Sequence, residues 1–239
     1  MQPYELLVGL RYTRAKRRNH FISFISMASM VGIAIGVMAL IVVLSVMNGF
    51  QKELRARILG VASHVQISGF DGRLANWQEA AKQAMTNPEV VGAAPYVSAQ
   101  GLLANQQSVQ GALIRGIIPD LEDKVADIGS HMRRGKLSDL RAGEFGIVLG
   151  SELAHAVGAR MGEKVVLIAP QGQVTPAGIL PRIKQFTLVG IFEVGMYEYD
   201  AGLALIHLQD AQKLYRLENG VSGVRLKLKD LFDAPEVAR

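Results

Sequence analysis

The sequence predicts an α+β chain carrying one membrane-spanning helix near its N-terminus, and three observations carry that prediction. No Lys, Arg, Asp or Glu occurs between Asn19 and Gln51. Beyond Gly60 the apolar period shortens and turn residues become frequent, the pattern of a mixed domain with many strands. A chain of 239 residues with 49% apolar and 20% charged residues fits neither a disordered tail nor an ordinary water-soluble enzyme. With no Cys, disulfides and thiolate metal sites are excluded.

Residues 1–20 read as a basic segment on the cytoplasmic side. Leu6, Leu7 and Leu10 alternate with Arg11, Arg14 and Lys16, as in a short amphipathic helix lying on the inner leaflet. The formal charge of +5 is concentrated here. Residues 1–60 hold eight Lys/Arg against Glu5 and Glu53, while the remaining 179 residues hold 18 against 19. Basicity that flanks one apolar segment points to membrane lipids and away from nucleic acid.

Residues 21–47 form the predicted transmembrane helix. From Ile22 to Met47 it would rise about 39 Å at 1.5 Å per residue, enough to cross about 30 Å of hydrocarbon with some tilt. A cleaved signal peptide has a shorter apolar core and small residues at its end. Val46-Met47-Asn48-Gly49-Phe50 offers no such site, so the anchor is read as uncleaved. Five Lys/Arg precede the span closely and three follow it, which places the N-terminus in the cytoplasm and the bulk of the chain outside. Ala28, Gly32 and Gly36 line one helix face with small side chains, a packing surface for another helix unless they reflect only the general frequency of glycine in membrane helices. Met27, Met30, Met38 and Met47 are read as lipid-facing. Phe50, Leu54, Ile58 and Val61 keep helical spacing, so residues 48–60 continue outward as a stalk, with Gly60 the expected stop.

Residues 61–239 read as the outer domain. Strands are expected at His64–Ser68, Val90–Ser98, Gln100–Asn105, Val109–Ile118, Phe145–Leu149, Lys164–Ala169, Phe186–Phe192, Ala201–His207 and Gly223–Lys229. In the last, Val224, Leu226 and Leu228 alternate with Arg225, Lys227 and Lys229, predicting one buried and one wet face. Helices are expected at Trp77–Met85 behind Asn76 as N-cap, at Ser151–Val157 stopped by Gly158, and at Gln209–Leu217 stopped before Gly220. Asp120–Ala142 is polar and fits neither period. A helix starts near Asp233, and the chain stops one turn into it, which predicts a longer parent protein.

No catalytic chemistry emerges. Gly135-Lys136 lacks the first Gly and the following Ser/Thr of a phosphate-binding loop. His20, His64, His131, His155 and His207 have no pair at metal-ligand spacing, and no Gly-x-Ser-x-Gly elbow exists. Glu193, Glu198 and Asp200 read as solvated carboxylates of a loop rather than an acid/base pair. Catalytic residues, metal ligands and cofactors are therefore expected to be absent.

Residues 170–181 stand apart, with three Pro and two Gly between two good strands. Proline lacks the ladder donor, so the segment is expected outside the sheet as a stiff hairpin arm. Val174, Pro176, Ala177, Ile179 and Leu180 give it more apolar surface than a solvated turn needs, which suggests a partner surface; a loop folded back on its own domain is the alternative. Arg182 and Lys184 follow directly and would steer an acidic partner.

Gly9-Leu10-Arg11-Tyr12, Gly36 to Leu40, Val43 to Phe50 (VLSVMNGF) and Gly195-Met196-Tyr197-Glu198-Tyr199-Asp200 resemble the LolC/LolE family, the permease subunits of the lipoprotein-releasing ABC transporter. The resemblance runs the length of the chain. It implies a multi-pass inner-membrane subunit whose further spans lie beyond this chain, with a large MacB-like periplasmic domain made of a porter subdomain and a second one inserted roughly at 119–202. It implies a separate LolD-like subunit that binds ATP, pairing with a LolE-like permease or a second copy, lipoprotein substrates, and the periplasmic chaperone LolA. In LolC-type subunits, or hybrids that replace LolC and LolE, a hook captures LolA. By position it matches Gln173, Val174, Thr175, Pro176, Ala177, Gly178, Ile179 and Leu180, with Arg182 and Lys184 as its basic pad. A related efflux or cell-division permease and a single-span periplasmic sensor are the alternatives.

Overall fold

The computed structural model describes Tyr4, residues 7–9, Arg11, and residues 20–61, 65–69, 72–106, 108–175, 178–230 and 233–237, with backbone alone over 20–23, 52–61 and 171–180. The chain divides into two compact units, residues 1–54 and 55–239.

Helix α1 runs from His20 to Val61. Its stretch Phe24–Gln51 has a mean hydropathy of 2.8 and is long and apolar enough to cross a membrane. Gly60 lies inside α1 rather than past its end. One glycine costs a helix only about 1 kcal/mol relative to alanine, too little to stop propagation from so long a run. The stalk side chains Leu54, Ile58 and Val61 lie outside the described residues, as do Leu6, Leu10, Arg14 and Lys16.

The second unit continues with β1 (Val65–Ser68), α2 (Trp77–Ala84), β2 (Val90–Asn105), β3 (Ser108–Ile117), α3 (Pro119–Glu122), β4 (Met132–Arg134), β5 (Gly146–Gly150), α4 (Ser151–Val157), β6 (Lys164–Thr175), β7 (Gly178–Phe192), α5 (Tyr197–Gly202), β8 (Leu203–His207), α6 (Leu208–Tyr215), β9 (Gly223–Leu228) and α7 (Ala234–Val237). The two strands expected between Val90 and Asn105 are one, because no turn residue separates Ser98 from Gln100. The first half of β2 pairs with β9, which carries β1 on its other side; the second half pairs with β3.

From β2 the ladder closes on itself. Antiparallel β2–β3, parallel β3–β8, antiparallel β8–β5, parallel β5–β7, antiparallel β7–β6 and antiparallel β6–β2 pairings form a circuit of six strands. Residues 119–202 supply β5, β6 and β7 to it, while β2, β3 and β8 come from either side of that segment. Alternate residues turn into one core, among them Leu103, Ile114, Ile147, Leu167, Phe186 and Ile206, each at most 1% exposed. Helices α4 and α6 complete that core through Leu153, Val157, Leu208 and Leu214. At Gly116 a side chain would overlap Ala211, so glycine sets how closely α6 approaches β3. A second cluster, including Ile117, Leu140, Val148, Phe192 and Leu205, lies on the other face of these strands. The ambiguous stretch Asp120–Ala142 resolves into α3, two short 3-10 turns at Asp127–His131 and Leu137–Asp139, and β4.

The wet face expected for β9 is corrected at Arg225, which is 1% exposed and ion-paired with Glu122, itself 0% exposed. Helix α3, unreadable from the sequence pattern, brings Glu122 over this strand. Along the same face Lys227 Nζ lies 3.2 Å from Asp127 and Lys229 Nζ 3.9 Å from Glu89, in progressively more exposed pairs. Arg115 joins the buried end: burial, and then the neighbouring Arg225, push its guanidinium pKa down to about 10. Two smaller expectations also change. Asn76 makes no side-chain cap bond to α2. Helix α6 ends at Arg216 in the left-handed conformation (φ 52°), upstream of Gly220.

Removing one partner of a buried ion pair strands the other charge. We predict that Glu122→Ala lowers unfolding free energy by about 3–5 kcal/mol, and that Glu122→Leu with Arg225→Met recovers most of the loss. Urea unfolding followed by circular dichroism measures both; a single-variant cost below about 1 kcal/mol contradicts the assignment.

Candidate partner-binding hairpin

Strands β6 and β7 form a long hairpin whose ladder is broken where proline dictates. Regular pairing runs from Lys164 opposite Thr187 to Ala169 opposite Arg182, and resumes at Gln173 opposite Leu180, Val174 opposite Ile179 and Thr175 opposite Gly178. Pro170 and Pro181 sit at the break, where the missing N–H removes a ladder bond. Residues 170–181, expected outside the sheet, therefore include a second stretch of paired strand. The local physics of proline is right but reaches only its own positions. Pro176 and Ala177 lie outside the described residues, as do the side chains of Gln173, Val174, Thr175, Gly178, Ile179 and Leu180.

At the foot of the hairpin Arg182 and Lys184 differ sharply. Arg182 is half-buried, and its Nη1 donates to the Leu214 carbonyl of α6 at 3.1 Å. Lys184 is exposed, with Nζ 3.9 Å from the centroid of the Phe145 ring. Phe145 packs edge-on against Phe186, centroids 5.5 Å apart. Its backbone has φ 53°, a strained value for a bulky residue, and is held by the buried Asp210 of α6, whose carboxylate accepts from Gly143 N at 2.9 Å and Phe145 N at 3.2 Å. Lys213, one turn further along α6, places Nζ 6.0 Å from the same ring. Sequence reasoning missed Phe145, Asp210 and Lys213, because they are remote from the hairpin along the chain.

The carboxylates near Tyr197 are not uniformly solvated. Asp200 is 4% exposed and accepts from Val194 N and Gly195 N, both at 2.9 Å. Glu193 pairs with Arg133 at 2.9 Å, and Glu198 is exposed. The unexpected α5 turns Asp200 inward, so it fastens its loop. On α1, Ala28, Gly32 and Gly36 are exposed, and a side chain at either glycine would meet nothing within 4 Å. Among the described residues no three His, Cys, Asp or Glu gather as a metal site.

Residues 26–239 match the MacB-like periplasmic core domain family. The chain belongs to that family. It is 53% identical over 231 residues to the lipoprotein-releasing system transmembrane protein LolC of Neisseria meningitidis serogroup B, covering 97% of this chain and 56% of that one. LolC of Xylella fastidiosa is 49% identical over 237 residues, covering 99% and 57%. LolE of Haemophilus influenzae is 32% identical over 233 residues, covering 95% and 55%. The chain thus spans a little over half the length of these curated relatives. They bear out the resemblance to LolC/LolE subunits, of LolC type, and the MacB-like family match bears out the α+β reading of one apolar helix followed by a periplasmic domain.

Within this family member, His207 caps α6: its Nδ1 accepts from Gln209 N at 3.2 Å. Burial pushes the His207 pKa below its ordinary 6.5. The unfolded chain therefore takes the proton more readily, so the contribution is complete above the unfolded value and is lost as pH falls through the folded one. We expect thermal stability to decline as pH falls below the ordinary imidazole value of 6.5, and His207→Asn, which keeps a capping oxygen, to flatten that slope. An unchanged slope in scanning calorimetry contradicts the role of the cap. Asp200→Ala leaves two backbone donors without their acceptor and should cost about 1–3 kcal/mol in urea unfolding.

Proposed function

We propose that this chain is the first span and periplasmic domain of a permease subunit of an ABC transporter that extracts lipoproteins from the inner membrane and passes them to the periplasmic chaperone LolA. The observation that carries the reading is 53% identity over 97% of the chain to a protein named for lipoprotein release. The N-terminus is cytoplasmic, the domain periplasmic, and further spans follow in the parent protein. The division into a basic segment 1–20, span 21–47, stalk 48–60 and domain 61–239, with an inserted part at 119–202, belongs to this reading.

Acyl chains are held in a bilayer by about 0.8 kcal/mol per buried methylene, so extraction needs coupled work. ATP hydrolysis in a LolD-like subunit supplies it, and this chain performs no catalytic step. The Ala28/Gly32/Gly36 face packs against a span of a LolE-like partner or a second copy, where acyl chains enter. The hook, residues 173–180, holds LolA, with Arg182 and Lys184 as the pad. The support for the hook is the paired, proline-bounded hairpin that carries those residues.

Replacing Thr175-Pro176-Ala177-Gly178 by Gly-Ser-Gly-Ser should reduce LolA capture by the purified chain at least tenfold in pull-down, with folding unchanged by circular dichroism. Equal capture by parent and variant would falsify the hook assignment. Gly32→Leu or Gly36→Leu should lower recovery of the assembled transporter from membranes about tenfold, as expected for the loss of 1–2 kcal/mol of helix packing; full recovery contradicts the packing role.

A further inference from the structure

Strand β2 changes partner midway. It pairs with β9 as far as Tyr96, opposite Gly223, and with β3 from Val97, opposite Gly116. It is therefore shared by the sheet β1–β9–β2 and the six-strand circuit. Ala94, Tyr96 and Ser98 lie on one face of it. Arg225 of β9 is paired with Ala94, and Arg115 of β3 with Ser98, so one arginine from each sheet flanks Tyr96 on that face. The Arg225 guanidinium lies 5.8 Å from the Tyr96 ring centroid, and Tyr96 OH donates to Gln66 Oε1 at 3.0 Å.

The charges at this junction do not balance. Glu122 Oε1 accepts from Arg225 Nη2. Glu122 Oε2 is buried without a hydrogen-bond partner, as are Arg225 Nε and both Nε and Nη1 of Arg115. Among the described residues, two enclosed guanidiniums thus share one carboxylate, and the excess charge sits on the circuit side. Enclosed donors without acceptors and enclosed charges without counter-ions cost folding free energy. Burial, and then Arg225, depress the Arg115 proton affinity, while Glu122 opposes that depression, so Glu122 acts on both arginines.

We propose that Glu122 is an exchangeable counter-ion, held by Arg225 in the arrangement seen here and passing to Arg115 when the sheet and the circuit shift against each other. Its unpartnered oxygen and the unpartnered atoms of Arg115 are the donor and acceptor of the second arrangement. In the first, α3 is tied to the sheet; in the second, to the circuit. Neither leaves the carboxylate bare. In sequence the sheet follows α1 through β1, and the circuit carries the β6–β7 hairpin, so the exchange lies at the junction between them.

The test is a double-mutant cycle on the full chain in detergent, read by urea unfolding. In the parent, Arg225→Met is expected to shift the unfolding equilibrium constant by less than about tenfold, because Glu122 passes to Arg115. In the Arg115→Met background the same change strands Glu122, and a shift of more than about a hundredfold is expected. Equal shifts in both backgrounds overturn the exchange. Lys227→Met removes a charge from the same strand, but its acid is Asp127, so equal shifts in both backgrounds are expected. A dependence on background as large as that of Arg225→Met reveals a general charge effect and also overturns the proposal. Arg115→Met alone keeps the Glu122 pair and removes the excess charge, which makes it a variant that folds. Its amide hydrogen exchange is expected to slow about tenfold in α3 and β9 relative to α6, since the second arrangement is lost. Unchanged exchange, or slowing of equal size in α6, contradicts that arrangement.

Discussion

The short pairing of Leu102, Leu103 and Ala104 on β2 with Ile168, Leu167 and Val166 on β6 is the constraint on which the periplasmic domain depends. Without it the strands form an open sheet with β6 as a free edge. With it the six strands become a circuit with no free edge among them, and their alternate side chains face one core. The same pairing fixes the root of the β6–β7 hairpin, because β6 is held on both sides up to Ile168 and then leaves the circuit with β7 alone. The arm is therefore a continuation of two barrel strands and not a loop added to the surface.

Proline acts on this arm as punctuation. Pro170 and Pro181 interrupt the ladder where the hairpin leaves the circuit, and pairing resumes beyond them. A ribbon made this way keeps the directionality of strands while its break relaxes the register.

Charge is handled in two opposite ways. On β9 each cation meets an acid, and the most enclosed pair, Arg225 with Glu122, is bordered by Arg115, whose proton affinity is depressed first by burial and then by Arg225. At the hairpin foot, lysines meet an aromatic face instead. Paired charges inside the domain favour one packing of α3 over β9, whereas the lysines over the Phe145 ring stay exposed. A carboxylate placed by the fold beside a strand cation thus separates structural from exposed basicity, although both kinds look alike as Lys and Arg in sequence.

What the sequence determined by itself is what local physics controls. The charge-free run from Asn19 to Gln51, the alternation of Val224, Leu226 and Leu228, the left-handed stop at Gly158 and the conspicuous segment 170–181 all follow from period, propensity and the chemistry of Gly and Pro. The motifs around VLSVMNGF and Gly195 to Asp200 carried the family. What only the tertiary structure decided involves residues far apart in sequence. Closure of the circuit joins residue 103 to residue 167, Glu122 reaches Arg225, Asp200 turns inward on a helix with no visible period, and Asp210 sets the Phe145 loop under lysines from two elements. Each depends on desolvation and pairing created by packing, and a one-dimensional pattern holds no record of which distant group will supply the missing donor, acceptor or ring.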